Sequence, residues 1–175
     1  MQSTATSPDS TQPPVLLVRV VGHAGGYGVV AAQPSAAGDV LLPVNGTVTA
    51  RPSRYSIQID DDLHIDLGTD VRFEDTVVRQ PWRFLNHSCE PNAAYRARAF
   101  VALRSIQAGE AVTYDYDTTE LDMAVPFDCR CGSSRCRGRI SGFAHLPLDE
   151  QLRLRPLLAD HLMRRLHRAA PSLHA

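Results

Sequence analysis

Three cysteines stand close together in this chain as Cys129, Cys131 and Cys136, in the spacing CxCx4C. Cysteines two positions apart do not easily form a disulfide with each other, because the backbone holds their sulfur atoms in the wrong geometry. Three thiolates at this spacing fit a tetrahedral zinc site that lacks one ligand. We expect Cys89, the fourth cysteine, to complete it. One of the seven histidines is the main alternative, and buried thiols that bind no metal are the other.

Cys89 belongs to the segment 83–92, RFLNHSCEPN, which is dense in residues that can do chemistry. It combines a histidine, two asparagines and a rigid proline turn with an aromatic and an aliphatic side chain of the kind that is usually buried. A plain surface loop seldom has this composition. If Cys89 is a zinc ligand, the cysteine cluster must dock directly against this segment.

Two further segments carry residues of chemical interest: the turn 22–28, GHAGGYG, and the run 111–116, AVTYDY. Glycines let the backbone turn tightly and approach a ligand closely. The turn is not a dinucleotide-binding loop, because a strand follows it and the three-glycine spacing is absent. Judged singly, each segment has an ordinary interpretation. The turn is a hairpin, Tyr114 and Tyr116 are core aromatics on one face of a strand, and His87 is a satisfied interior histidine.

Short strands separated by turns must position these segments. A short helical turn is expected within 73–82, and no long helix is expected in the first half. The pattern is typical of a mostly β protein with several small sheets or a barrel. The predicted strands cover 15–21, 29–32, 40–44, 47–50, 54–59, 63–67, 95–103 and 111–116.

From Leu148 onward the sequence is rich in leucine and arginine and predicts helices, the second of which begins at Pro156. Leu158, Leu162 and Leu166 recur at i, i+4 and i+8 and therefore share one helical face. We expect this leucine stripe to cap the domain. A homodimer contact through these helices is the alternative.

The formal net charge of −1 argues against nonspecific binding to nucleic acid or membranes, which needs a basic excess. All 18 cationic side chains are arginine, so the chain has no lysine of its own to modify. Residues 1–14 are expected to be a disordered tail, without the features of an export signal. No apolar run reaches the roughly 20 residues that span a bilayer. We therefore expect a cytoplasmic protein, with nucleoid-associated or nuclear locations as alternatives.

Taken together and in this order, the motifs resemble those of SET-domain protein lysine methyltransferases. The matching segments are Gly26-Tyr27-Gly28, RFLNHSCEPN at 83–92, and GEAVTYDY at 109–116, while CxCx4C followed by Arg-Gly resembles the post-SET zinc motif. The resemblance implies a SET domain at 15–128, a post-SET zinc motif at 129–142 and a helical extension at 143–175. It also implies a knot-like fold in which segment 83–92 threads beneath the tyrosine loop.

The resemblance further implies S-adenosylmethionine as cofactor and zinc as a structural metal. Tyr116 would be the catalytic tyrosine, Tyr55 would line the lysine channel, and Tyr114 occupies a position where the family carries Phe or Tyr. Zinc would be held by the four cysteines named above. The residues implied to contact the cofactor are Gly26, Tyr27, Gly28, Asn86, His87 and Phe143, the last over the adenine or the channel.

The implied activity is methyl transfer to a lysine of a protein substrate, with mono- or dimethylation as the main product because Tyr114 takes up room. A noncatalytic SET-fold interaction module is the alternative, and a zinc-stabilised interaction domain without cofactor is a third hypothesis. Acidic residues near the presumed groove would suit a basic substrate such as a histone-like or ribosomal protein, although such runs are often solvated loops. These residues are Asp60 to Asp62, Asp66, Asp115, Asp117, Glu120 and Asp122.

Overall fold

Four small β-sheets form the framework of the computed structural model, which describes residues 17–68 and 71–169. The expectation of a mostly β fold with several small sheets is confirmed. The predicted tail at 1–14 lies outside the described residues. The strands are β1 (Val18–His23), β2 (Gly26–Ala31), β3 (Val40–Pro43), β4 (Thr47–Thr49), β5 (Ile57–Asp60), β6 (Leu63–Asp66), β7 (Asn86–His87), β8 (Ala93–Arg96), β9 (Ala99–Ala102), β10 (Ala111–Tyr114), β11 (Phe127–Asp128) and β12 (Arg139–Ile140).

The sheets have the strand orders β1-β2-β10-β7, β3-β9-β8, β4-β6-β5 and β11-β12. Every pairing is antiparallel except that of β10 with β7, which is parallel. The helices are α1 (Phe73–Arg79), α2 (Leu148–Leu154) and α3 (Asp160–Ala169). Short 3-10 turns lie at Pro81–Phe84, Tyr116–Thr118, Phe143–His145 and Arg155–Leu157.

The glycine-rich turn is shorter than the sequence predicts, because β2 begins at Gly26 and not at Val29. Its first residue pairs with His23, so only two residues connect β1 to β2. Gly26 has a φ of 129°, a conformation that L side chains rarely adopt. The predicted loop is therefore a tight hairpin that presents a glycine backbone at its tip.

The single strand predicted over 95–103 is wrong, since this region forms the hairpin of β8 and β9. Ala97 and Arg98 make the turn with φ values of 45° and 63°. Two-residue hairpin turns with positive φ strongly favour Asn, Asp and Gly. The turn carries none of these signals, so the sequence pattern concealed it.

The strand predicted over 111–116 ends at Tyr114, and Tyr116 opens a 3-10 turn. The Asp115 side chain caps that turn by accepting a hydrogen bond from the backbone N–H of Asp117. The two tyrosines therefore do not share one face of a strand, as the ordinary interpretation assumed. Tyr114 instead ends the strand β10, and Tyr116 begins the capped 3-10 turn.

The main core lies between the sheets and is anchored by Trp82, which is 1% exposed. Its indole Nε1 donates a hydrogen bond to the carbonyl oxygen of Asn45 at 2.9 Å, the kind of partner that a buried indole needs. This contact holds the 3-10 turn just before segment 83–92. Other fully buried members of the core are Leu41, Leu42, Ile65, Phe100 and Ile106.

The leucine stripe packs onto the domain, as expected, and forms a second hydrophobic cluster with Phe143 and Leu154. The prediction that Pro156 begins the second helix is wrong. Pro156 lies in the 3-10 turn between α2 and α3, and its carbonyl accepts a hydrogen bond from the Arg96 guanidinium at 2.6 Å. The stripe members are Leu158, Leu162 and Leu166.

Candidate active site

Segment 83–92 is held against β10 by both backbone and side-chain hydrogen bonds. The strand β7 pairs in parallel with β10 so that Asn86 lies beside Thr113. Asn92 then closes the segment, because its amide donates to the carbonyl of Ala111 at 2.8 Å and accepts from the N–H of Thr113 at 2.9 Å. The asparagine thus serves as a side-chain clamp on the strand that leads to the tyrosines.

Tyr116 lies where segment 83–92 meets the tyrosine turn. Its hydroxyl donates to the carbonyl oxygen of Leu85 at 2.7 Å, and its ring centroid lies 4.7 Å from that of Tyr114. Burial raises the pKa of both tyrosines above the ordinary value. Both are therefore protonated phenols at neutral pH, and Tyr116 can donate a hydrogen bond but cannot serve as a base.

His87 connects Tyr116 with the cysteine cluster. Its Nδ1 accepts the backbone N–H of Tyr116 at 3.2 Å, which assigns the ring proton to Nε2. Nε2 in turn lies 3.2 Å from the sulfur of Cys89. Burial lowers the pKa of His87 to about 4, so the ring is neutral at physiological pH. The His87 side chain is therefore engaged by the Tyr116 backbone and the Cys89 sulfur. The backbone of His87 remains the part available to a cofactor.

The four cysteine sulfurs lie within 4.8 Å of one another. Cys89 is fully buried, and its sulfur is 4.0 Å from that of Cys129. Four thiolates gathered this closely are a donor set suited to tetrahedral zinc. The spacing CxCx4C and the distant Cys89 thus meet at one point, as the sequence predicted. A zinc ion held by all four cysteines would have no open coordination position, as in a structural site.

Arg137 joins the cysteine cluster to the tyrosine turn. Its guanidinium donates two hydrogen bonds to Asp115, at 2.6 and 2.7 Å, and a third to Asp117 at 2.8 Å. Both carboxylates are fully buried, and they flank Tyr116 in the sequence. A buried arginine with bidentate carboxylate contacts gives strict orientation. Order in the cysteine loop is therefore transmitted to the backbone on either side of Tyr116.

Three cavities share Tyr116 in their walls. A narrow channel of about 40 Å³ is also lined by Tyr114 and Trp82, a cleft of about 590 Å³ lies along Gly26 and Tyr27, and a wide cleft of about 950 Å³ lies along the glycine turn and the cysteine loop. Arg54, Tyr55 and Tyr116 line all three. This arrangement places a hydroxyl and two aromatic walls at a junction between a narrow channel and a broad binding cleft.

Most of the predicted cofactor contacts lie along the wide cleft or next to it. His87 and Asn86 line the cleft, and the exposed Asn86 amide donates to the carbonyl oxygen of Tyr27 at 3.1 Å. A Cβ on Gly28 would come within 3.0 Å of that amide, so only glycine leaves this approach open. Gly26 is exposed in the same turn. The predicted segments therefore lie side by side, and their contact with a cofactor stays a prediction.

The model of the SET domain family matches residues 26–117 of this chain. The chain is 32% identical over 133 residues to histone-lysine N-methyltransferase ash1 of Drosophila melanogaster, covering 67% of this chain and 6% of that protein. It is 31% identical over 111 residues to methyltransferase flvH of Aspergillus flavus, covering 61% and 56%. The chain belongs to the SET domain family.

The fold comparison agrees with this membership. The crystal structure of KRYPTONITE in complex with mCHG DNA and SAH has a TM-score of 0.54 and 25% identity, covering 74% of this chain and 30% of that one. A second structure, KRYPTONITE with mCHH DNA, an H3(1-15) peptide and SAH, has a TM-score of 0.52 and 28% identity, covering 70% and 29%. The chain therefore spans only part of most of these SET proteins.

Phe143 does not occupy the place that the sequence predicted for it in the SET domain. Phe143 is 6% exposed and packs against Leu154, Leu158 and Leu162. It lines none of the cavities at Tyr116. Phe127 lines the wide cleft instead, with its ring 5.8 Å from that of His87 and 5.9 Å from that of Tyr116. Its position two residues before Cys129 was the signal that sequence reasoning missed.

Most of the acidic residues expected near the peptide groove are neutralised within this SET domain. Arg83 pairs with Asp66 at 2.9 Å, whereas Asp122 lies 2.8 Å from the imidazole of His145, which is a cation only when it is protonated. The acids that are paired with arginine are therefore less available to attract a basic substrate than the sequence interpretation assumed. The remaining ion pairs are Arg164 with Asp60, Arg168 with Asp61, and Arg137 with Asp115 and Asp117. Within the described ranges no helix is long and apolar enough to cross a membrane.

Proposed function

We propose that this chain transfers methyl groups from S-adenosylmethionine to a lysine side chain of a protein substrate. The observation that carries the proposal is the meeting of a narrow channel and a wide cleft at Tyr116. Relatives named histone-lysine N-methyltransferases, and a solved neighbour holding SAH, support it. The activity is proposed because the chain covers only a part of these proteins.

The wide cleft fits the cofactor in shape and chemistry. The exposed glycine turn at Gly25 and the exposed side-chain amide of Asn86 line one end of the cleft. His87 and Phe127 offer aromatic and backbone contacts at the other, where a flat base can pack. S-adenosylmethionine supplies a methyl group on a positively charged sulfur. The chain's own residues must then align a lysine amine with that methyl group.

The lysine must reach the methyl group as a neutral amine. A free lysine has a pKa near 10.4, so forming the neutral amine at pH 7 costs about 4–5 kcal/mol. The narrow channel disfavours the charged form by excluding water. The Tyr116 hydroxyl is oriented by Leu85, and its oxygen keeps the capacity for weak CH···O contact with the methyl group. The channel thus aligns the lysine amine, while the Tyr116 hydroxyl holds the methyl group.

Zinc, held by Cys89, Cys129, Cys131 and Cys136, is proposed as a structural ion. It would hold the loop that carries Arg137 and Phe127 against the tyrosine turn. The metal thereby acts on the cofactor cleft through the position of these side chains.

The product state should depend on Tyr114, which is 5% exposed at the closed end of the channel. Its hydroxyl takes room that an added methyl group would need, so we propose mono- or dimethylation as the main outcome. A Tyr114→Phe variant is expected to shift the product toward trimethylation, measured by mass spectrometry of the modified lysine. Efficient trimethylation by the unmodified protein would contradict this assignment.

The proposed function is tested by two measurements on the purified chain. Calorimetry should detect binding of S-adenosylmethionine, and labelled methyl transfer to core histones and to a protein extract should identify the substrate by mass spectrometry. Binding without transfer would favour a noncatalytic SET-fold module. Neither binding nor transfer would favour an interaction domain without cofactor and overturn the proposal.

The substrate class is proposed as a lysine-bearing protein or peptide, with histone-like and ribosomal proteins as the first to test. One solved neighbour contains an H3(1-15) peptide, which makes the same peptide a reasonable first probe. The absence of lysine from this chain means that any methyl-lysine detected in the assay belongs to the substrate.

A further inference from the structure

The narrow channel contains one buried carboxylate that the proposed mechanism has not used. Glu120 lies four residues after Tyr116 and lines the channel together with Tyr114 and Tyr116. It is 6% exposed. A carboxyl group is an unusual side chain in a channel lined by tyrosines. The two oxygens of this carboxyl group have different surroundings.

The first carboxylate oxygen, Oε1, is fully engaged in structural hydrogen bonds. It accepts the backbone N–H of Gln58 at 2.8 Å and lies 3.2 Å from the hydroxyl of Thr119. The side-chain oxygen of Gln58 accepts a hydrogen bond from the backbone N–H of Leu121, the next residue, at 2.8 Å. These bonds join β5 to the loop after the tyrosine turn and hold the Glu120 side chain in place.

The second oxygen, Oε2, has no hydrogen-bond donor within 3.5 Å among residues 17–68 and 71–169. It lies 3.9 Å from Nε2 of His64 on β6. Burial lowers the pKa of His64, so this imidazole is neutral at pH 7 and does not balance the carboxylate charge. The other charged or titratable groups that line the channel or act on Glu120 are Arg54, Tyr55, Arg83, Tyr114, Tyr116 and Asp117.

This situation contrasts with that of the other buried acids in the site. Asp115 and Asp117 share Arg137, and Asp66 pairs with Arg83. An ionised carboxylate without a cation is costly to bury. Glu120 is therefore a buried carboxyl group with one oxygen free of hydrogen-bond donors, placed in a channel whose proposed substrate is a cation.

We propose that Glu120 receives the ε-ammonium group of the substrate lysine and accepts one of its protons before methyl transfer. The inference rests on the proposed function. An N–H bond of the ammonium breaks with its electron pair left on nitrogen, while an O–H bond forms on Oε2. The amine is then neutral, and its lone pair would form a bond to the methyl carbon as the carbon–sulfur bond of S-adenosylmethionine breaks and that electron pair stays on sulfur. The nitrogen regains a positive charge as methylammonium, and Glu120 releases its proton to solvent when the product leaves.

The surroundings tune the carboxylate for this task. Burial raises the pKa of Glu120 to about 7, whereas a solvent-exposed carboxyl would be too weak a proton acceptor. Because the pKa is raised, the carboxylate form is lost as the pH falls through about 7. The rate of methyl transfer should therefore fall with it on the acidic side.

The experiment compares Glu120→Gln with the unmodified protein on the substrate found by the labelling assay, measuring kcat/KM from pH 6 to 9.5. Glutamine keeps the side-chain volume and an oxygen for Gln58 but cannot accept the proton. At pH 7.5 the variant is expected to be at least about 10-fold slower. The deficit should shrink to about threefold at pH 9.5, where solution supplies more neutral amine.

The matched control is Glu74→Gln, the same chemical change at an exposed position on α1, which should leave the pH profile unchanged. Affinity for S-adenosylmethionine and the thermal midpoint establish that Glu120→Gln is folded. If it does not fold, Glu120→Asp replaces it and should retain the acidic limb near pH 7. Parallel profiles for variant and unmodified protein would overturn the inference alone. Absence of any labelled substrate would overturn the proposed function and the inference with it.

Discussion

A Tyr116→Phe variant is expected to lose at least about 100-fold in the rate of methyl transfer while it keeps its affinity for S-adenosylmethionine. The hydroxyl is fixed by its 2.7 Å hydrogen bond to the carbonyl oxygen of Leu85, so it stands at the junction of channel and cleft in a single orientation. Phenylalanine preserves the ring contact with Tyr114 and therefore the packing. What it removes is the hydroxyl oxygen that we propose contacts the methyl group.

The measurement is initial velocity at saturating cofactor, with calorimetry for the cofactor itself. Tyr95→Phe serves as the control, because Tyr95 is also a buried tyrosine, packs against Phe100 in the β8–β9 hairpin, and lines neither the channel nor the clefts at Tyr116. A Tyr116→Phe variant as fast as the control would remove the hydroxyl from the mechanism. A variant that has lost cofactor binding would assign the residue to the cleft instead.

Replacement of Cys89 by serine should produce the second large effect. The sulfur is buried at the centre of the four cysteines, and its loss leaves three ligands in a site built for four. Metal binding of this kind contributes on the order of 10 kcal/mol to local folding. Bound zinc is expected to fall to near zero, the thermal midpoint should drop, and residues 126–143 should become sensitive to protease.

Cofactor affinity should fall at least about tenfold in the same variant, because Arg137 and Phe127 leave their positions with the loop. Chelation of zinc from the unmodified protein should reproduce both losses, and added zinc should reverse them. Ser134→Ala, a change at an exposed position of the same loop, is the control. Retained zinc in Cys89→Ser would favour a histidine ligand. Retained zinc together with retained cofactor affinity would disprove the link between the cluster and the cleft.

The tyrosine turn and the cysteine cluster, which these two variants alter, are connected by contacts of His87 and Arg137. His87 contacts both the Tyr116 backbone and the Cys89 sulfur, and Arg137 holds the acids on either side of Tyr116. Because each contact is buried, it is little weakened by salt. The zinc loop and the tyrosine turn should therefore gain or lose order together.

Local motifs allowed much of the site to be predicted. The residues of 83–92 and 109–116 are contiguous, and their chemistry is legible because histidine, cysteine and paired tyrosines seldom occur together by chance. The assignment of Cys89 to the cluster needed only a count of cysteines and the poor geometry of a CxC disulfide. The β-rich architecture followed in the same way from short β-branched runs between turn residues.

Predictions failed where the deciding contact was distant in the chain. Phe143 reads as a cofactor contact because it follows the cysteines, yet its ring is drawn into the leucine cluster of the C-terminal helices. The turn at Ala97 and Arg98 carries no turn signal and exists because β8 and β9 pair around it. In both cases tertiary packing overrode the local pattern.

The sequence by itself determined the family, the four cysteines and the tyrosines, because these depend on residue type and order. Only the tertiary structure decided which acidic side chains have an arginine as an ion-pair partner. Arg137 reaches Asp115 across 22 residues, and Gln58 reaches Glu120 across 62, so neither pairing can be read from spacing. That difference is what leaves Glu120, within the described residues, as the buried acid of the channel without an arginine ion-pair partner, since the charge of a carboxylate is set by the groups that folding brings beside it.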